Sequence, residues 1–314
     1  MPRVRDVLPV TRPLEGLDLE VRTWRVPFSH AVRTAWSIAA HPVAERLLGP
    51  FDVLQFTDWM YPPQRSGKRA TMIHDLVPVR FPEWTTRRTQ AMHGRKYRNA
   101  ARTCDVVFVN SAYTANEVTE LLNVPPARIR VAAPGVKPVF TTAGRSAELG
   151  APYIVTVATL EPRKNLQALV EAHRLLGGET LLAVVGGAGW GEQPALGDPR
   201  VRRLGFVSDE ELAALYRGAV VAAYPSRFEG FGMPIVEAMA CGTPVVASAH
   251  PSLDEASGGA ALRADPDDPA AIASALEQAM GRRAELVAPG LEHAARFTWR
   301  ATGEAMLRGY EGVL

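Results

Sequence analysis

Cysteine is scarce. The chain has two in 314 residues, Cys104 and Cys241, at no metal-type spacing and each in apolar surroundings. They read as small buried residues of a reduced, cytosolic protein, and no disulfide framework is implied. Long hydrophobic runs are missing as well: none approaches the roughly 18 residues needed to cross a bilayer. An N-terminus that mixes arginines with acids is not a signal peptide. A dinucleotide fingerprint is also absent. GGAGWG at 186–191 lacks the G-x-G-x-x-G spacing and follows a later strand, which argues against a nicotinamide site and leaves a mobile loop or a close backbone approach to a ligand. The net charge is only +2, and no nucleic-acid partner is expected.

What is present is apolar mass in regular alternation. At 47% apolar content the chain is long enough for two domains, each with its own core. Residues 1–145 hold 21 Lys and Arg against 12 Asp and Glu, and the remainder 14 against 21, so a basic half precedes an acidic one. A basic half can meet an anionic acceptor or a membrane surface, or simply present a solvated face. LEVRTWRV (19–26) alternates as a strand, and 31–49 has helical spacing ending at Gly49. Segments 51–57, 69–75 and 105–111 read as buried strands and 128–136 as a strand followed by a turn, with helices at 84–104 and 114–124 between them. The segment 137–152 loses all periodicity and is the natural boundary between units at 1–148 and 149–296. Beyond it, strands at 153–159, 180–187, 200–207, 219–225 and 243–248 alternate with helices at 165–176, 209–217, 234–240 and 268–280. That is the α/β pattern of a parallel sheet wrapped on both faces.

The densest chemistry lies between Tyr224 and Ser248. Pro234 suits the first turn of a helix, so IVEAMA reads as helix after a loop containing Gly230, Phe231, Gly232 and Met233. Glycines there let the backbone approach a ligand, and the free N–H groups of the helix start make an anion site. Glu229 precedes the helix, and Glu237 is expected on its first turn. A carboxylate accepts two hydrogen bonds at once, as a sugar diol requires, although a first-turn glutamate can equally do no more than complement the helix dipole. Loops that follow strands line the ligand edge of such sheets. On that rule EPRKN (161–165) brings Arg163 and Lys164, FVSDEE (206–211) brings Val207, and the turn after 69–75 brings His74, a residue type that is otherwise often structural.

The run from Glu229 to Glu237, followed by AMACGTPVVAS, resembles the signature of the retaining glycosyltransferases of family four. EPRKN, HDLVPVRFPEW (74–84), VNSAYTANEV (109–118) and FTWRATGEAMLRGYEGVL (297–314) stand in the same order as in that family, nearest its O-antigen and mannosyltransferase branch. The resemblance implies the GT-B fold, two Rossmann-like domains facing a cleft, with residues 297–314 crossing back to the first domain. It implies transfer of a mannose-like hexose from a nucleotide diphosphate sugar to a carbohydrate or lipid-linked acceptor, with retention and without a metal or other cofactor. By position, Glu237 would hold the ribose diol, Glu229 the donor sugar, and the Gly230–Met233 backbone the sugar and phosphates. Arg163 and Lys164 would neutralise the diphosphate, and His74 would lie near the transferring sugar. The expected setting is the cytoplasm, at the inner face of the membrane where the basic half makes contact. Two departures stand out. Ala158-Thr159 replaces the family's usual Gly-Arg, and the chain opens Met-Pro-Arg-Val-Arg without the usual strand and Gly-Gly loop. An N-terminal domain short of its first β-α unit follows from the second, and with it the alternative of a nucleotide-sugar-binding pseudoenzyme.

Overall fold

The structure, a computed structural model, describes residues 35–36, 38–39, 41–56, 61–187 and 197–314. The expected strand at 19–26 and most of the helix expected over 31–49 lie outside these residues; of the latter, α1 (Glu45–Leu48) is described.

Among the described residues the first half builds a parallel four-stranded sheet in chain order: β1 (Val53–Phe56), β2 (Lys68–Ile73), β3 (Val106–Val109) and β4 (Ile129–Val131). β3 reads VVFV and is buried at every position, as a strand covered on both faces must be. A short helix α2 (Val77–Arg80) and the long α3 (Arg87–Thr103) follow β2, and α4 (Ala112–Leu122) follows β3. Thr86 and Ser111 start the last two helices, each accepting a hydrogen bond from the N–H three residues on.

The second sheet has six parallel strands in the order β10-β9-β8-β5-β6-β7. These are β5 (Tyr153–Val157), β6 (Leu181–Val185), β7 (Val201–Gly205), β8 (Val221–Tyr224), β9 (Val245–Ser248) and β10 (Leu262–Ala264). Chain order runs outward from β5 to β7, then jumps back across β5 to β8. The strand order therefore reverses between β5 and β8, which opens a crevice at their carboxyl ends. Helices α5 (Leu166–Leu176), α6 (Asp209–Gly218), α7 (Met233–Ala240) and α8 (Asp254–Ser257) connect the strands, and α9 (Pro269–Gly281) follows the last of them.

β10 and α10 (Arg283–Ala294) fall outside the sequence expectations. β10 is only three residues long, and α10 contains Pro289-Gly290, a pair that argues against helix. The glycine has a packing reason: a Cβ there would lie 3.3 Å from the Met239 side chain of α7.

The last helix, α11 (Trp299–Glu311), returns to the first sheet. Phe108 of β3 meets Tyr310 edge-on at 5.2 Å, and Tyr310 donates its hydroxyl to the Gln55 side chain of β1. Gly309 allows this approach, since a Cβ would sit 2.5 Å from the Phe108 ring. The outgoing and returning chains pair where they cross between halves: Val136 N donates to Phe297 O at 2.9 Å, and Thr302 Oγ1 to Ala133 O at 2.6 Å. Residues 137–147 run along the second half, with Phe140 in its core and Ala147 N bonded to Ala214 O.

Candidate active site

The loops after β5 and β8 meet at the reversal of strand order, and their charges meet with them. Arg163 and Lys164 lie on a 3-10 turn, Pro162–Lys164, that ends in Asn165 with a left-handed φ of 55°. Asn165 is pinned by its side-chain amide to Pro225 O (3.2 Å) and Pro266 O (2.6 Å), which aims the turn at the β8 loop. There Glu229, only 8% exposed, takes Arg163 NH1 on Oε2 at 2.7 Å and Lys164 Nζ on Oε1 at 2.6 Å. Ser226 Oγ adds a bond to Oε1 at 2.5 Å, and Ser252 Oγ accepts from Glu229 N at 3.1 Å. Burial alone would raise the Glu229 pKa, but Lys164 and Arg163 outweigh it, and the carboxyl is held below its usual range.

Lys164 also donates to Tyr224 OH at 2.9 Å and lies 5.1 Å from the centre of that ring. Burial pushes the tyrosine hydroxyl well above its ordinary pKa, so it meets the lysine as a neutral acceptor. Arg163 has a second carboxylate, Glu161, at 2.9 Å from Nε; Glu161 is itself held by Thr159 Oγ1 at 2.5 Å. Thr159 thus supports, through Glu161, the arginine four residues further on.

These groups line a cleft of about 780 Å³ between the halves. Gly230, Phe231, Gly232 and Met233 are on its wall, as expected. Gly232 is the N-cap of α7 at φ 104°, a conformation that favours glycine; Pro234 has no N–H and Ile235 N turns back to Gly232 O at 3.0 Å, so of the first three helical positions Met233 is the one that offers an N–H to the cleft. Gly230 is required by contact rather than by φ: a Cβ would lie 1.8 Å from His74 O. Phe231 turns its ring edge-on to Phe297 at 5.2 Å.

His74 faces this loop from the end of β2. It is exposed to the cleft, and its Nδ1 lies 3.3 Å from Asn110 Oδ1, while Asn110 Nδ2 donates to His74 O at 3.3 Å. The halves are joined around it. Ser111 Oγ and Thr114 Oγ1 both donate to Gly230 O, at 2.7 and 3.1 Å. Ala112 N, at the start of α4, donates to Glu255 Oε2 at 2.6 Å. Beside them Phe228 meets Phe81, Tyr113 and His250 edge-on at 5.0 to 5.8 Å.

Two expected site residues stand elsewhere. Glu237 is on the second turn of α7, not the first, because Met233 is the first helical residue and Pro234 the second. It is half-buried, off the wall of this cleft, in the field of Lys137 and Asp209. Burial lifts its pKa to about 7, Asp209 adds to the rise and Lys137 opposes it. Val207 packs against the core of the second half, and its neighbour Phe206, 90% exposed, reaches the cleft instead. The two residues alternate in direction as an extended segment requires, so the loop was located from sequence and the side was not.

Sequence reasoning missed Asn110, Asp75, Tyr224, Trp299, Thr302 and Met306, all on the cleft wall. The last three come from α11, whose part in the cleft depends on where it returns; Tyr224 carried a signal as the final residue of a strand in the ligand edge. The one Asp-x-Asp pair, Asp265-Pro266-Asp267, is away from the cleft, with Asp267 Oδ1 2.5 Å from Arg227 NH2. Among the described residues no group of three or more His, Cys, Asp or Glu is arranged to hold a metal ion.

Two family models match the chain: "Glycosyltransferase Family 4" over residues 6–140 and "Glycosyl transferases group 1" over residues 151–282. Among curated proteins, the chain is 29% identical to O-antigen chain mannosyltransferase B of Escherichia coli over 90% of this chain and 78% of that one. It is 32% identical to D-inositol 3-phosphate glycosyltransferase of Mycobacteroides abscessus over 96% of this chain and 73% of the relative. Among solved structures it is similar to Anabaena HepE in complex with UDP-glucose, at a TM-score of 0.63 and 19% identity, over 78% of this chain and 71% of the other.

Proposed function

The chain belongs to glycosyltransferase family 4 and has the GT-B fold, and from this premise we propose that it moves a mannose-like hexose from a nucleotide diphosphate sugar to a carbohydrate or lipid-linked acceptor, with retention and without a metal. The observation that carries the reading is the convergence of Arg163, Lys164 and the Met233 N–H at the start of α7 on one end of a cleft that His74 closes from the other half. Such a set of fixed positive groups stabilises a departing diphosphate. Lys164 has three donor positions, of which Glu229 and Tyr224 take two. Glu229 orders both cations and meets the donor sugar; Gly230 to Met233 bring main chain to sugar and phosphates; and Glu237, outside the cleft proper, holds the ribose diol. Retention follows by front-face attack, since Glu229 is engaged with two cations and is not free as a nucleophile.

Mannose rests on the E. coli relative, and a nucleotide donor on the UDP-glucose held by the structural neighbour. We take the units to be 1–148, 149–296 and the closing helix 297–314. The setting is the cytoplasm, with the basic first half toward an anionic membrane surface. Arg87, Arg88, Arg95, Arg98 and Arg102 are all exposed on α3, which carries no acid, and no described helix is long and apolar enough to cross a membrane. The test is a panel of nucleotide sugars screened for protection against thermal unfolding, followed by transfer assays on wild type, His74→Ala and Glu229→Ala. Protection by one donor, with turnover lost in both variants, is expected. Binding without turnover in the wild type makes the chain a pseudoenzyme, and no protection by any donor overturns the reading.

A further inference from the structure

A second cavity, of about 230 Å³, opens beside the cleft and shares Asp75, Glu161 and Arg163 with it. Its remaining wall is Val77 and Pro78 of α2 and Thr85, Thr86, Thr89 and His93 around the start of α3. The volume is that of roughly eight water molecules, enough for one pyranose ring and too little for a nucleotide.

The charges in this wall decide what it accepts. Among the described residues Arg163 is the one Arg or Lys in this wall, and that guanidinium already serves Glu161 through Nε and Glu229 through NH1. Against it stand two carboxylates. Asp75 Oδ1 takes Val77 N at 3.1 Å, and its Oδ2 has no partner among the described residues. The start of α3 faces the same cavity, with Thr89 N taken by Thr86 Oγ1 at 3.2 Å and Gln90 N by Thr86 O at 3.0 Å. The five exposed arginines of α3 line neither cavity. Carboxylates, threonine hydroxyls and one apolar edge suit a ligand that donates hydrogen bonds from hydroxyls, and they repel a phosphate.

We propose that this cavity seats the acceptor's terminal sugar, and that this sugar is an uncharged, hydroxyl-rich pyranose rather than a phosphorylated one. The proposal rests on the transferase reading above and adds the acceptor's class and place. From here an acceptor hydroxyl enters the donor cleft past Asp75, at the shared edge of the two spaces.

The probes are methyl α-D-mannopyranoside and D-mannose 6-phosphate, each titrated into the full chain by saturation-transfer NMR with and without saturating nucleotide. The neutral glycoside is expected to bind at least tenfold more tightly than the phosphate. Thr89→Leu, which fills the cavity, should weaken the glycoside at least tenfold while changing nucleotide affinity less than twofold; Thr89→Val, which removes only the hydroxyl, should give a smaller loss in the same direction. Nucleotide affinity reports folding and the donor site, so its loss in the wild type would strike the transferase reading and not this one. Equal or tighter binding of the phosphate, no binding of either sugar, or undiminished glycoside binding in Thr89→Leu overturns the proposal.

Discussion

Glu229 and Glu237 stand eight residues apart on one loop-helix unit, and their surroundings push them in opposite directions. Around Glu229 the protein supplies two cations and a hydroxyl, so a nearly inaccessible carboxylate stays ionised and becomes the post to which Arg163 and Lys164 are tied. Around Glu237 it supplies burial and a neighbouring acid, with one lysine in range, so the carboxyl titrates near neutrality. The difference teaches that a glutamate's role in a cleft is set by what the fold brings to it. The first is tied into the protein's own network of partners, and the second is left to titrate.

The sharpest way to break this contrast is to remove the post. Glu229→Ala leaves two cations buried without their shared counter-charge, and it should cost about 3 kcal/mol of stability and lower kcat/KM about a thousandfold, read by thermal unfolding and transfer kinetics. Glu229→Gln keeps the shape without the charge; wild-type stability in that variant would show that the pairing is dispensable.

Next in size is Gly230→Ala. The new Cβ would sit 1.8 Å from His74 O, a main-chain atom that no rotamer change can clear. The halves should be wedged apart, with activity down about a hundredfold and nucleotide affinity lowered by less than activity.

The smallest effect tests Glu237. Its folded pKa of about 7 lies above the ordinary 4.5, so ionisation costs the folded chain stability as pH rises from about 4.5 to about 7. Glu237→Gln should therefore match the wild type at low pH and be more stable by about 2 kcal/mol above pH 7 without nucleotide. Donor affinity should move the other way in the wild type, falling as the pH drops below about 7 and the diol acceptor is protonated. In the glutamine variant it should be flat with pH, and calorimetry at several pH values checks both.

Most strands were legible because β-branched runs such as VVFV and YIVTV are buried on both faces and have no other use for their composition. The Arg163, Lys164, Glu229 and Gly230 group was legible for a related reason: each follows a strand, and in a parallel sheet such loops share one edge. What sequence did not yield was direction and distance. Whether Phe206 or Val207 faces the cleft depends on the extended loop's rotation, and Glu237's turn depends on Met233, not Pro234, opening the helix. Helix α10 was hidden by Pro289-Gly290, whose justification is a neighbour, Met239, fifty residues earlier. The contribution of Trp299, Thr302 and Met306 was hidden because only tertiary packing brings the chain's end to the cleft.

That returning helix also sets an order of events. The face of the first sheet formed by Ala70, Val106 and Phe108 is covered by Ala305, Met306 and Tyr310. On the ribosome the half that is synthesised first is therefore the half whose cover arrives last, after the whole six-stranded sheet has emerged. The apolar face of β3 must wait through translation of the intervening residues, and until then the newborn chain keeps an uncovered apolar patch in its first-made half.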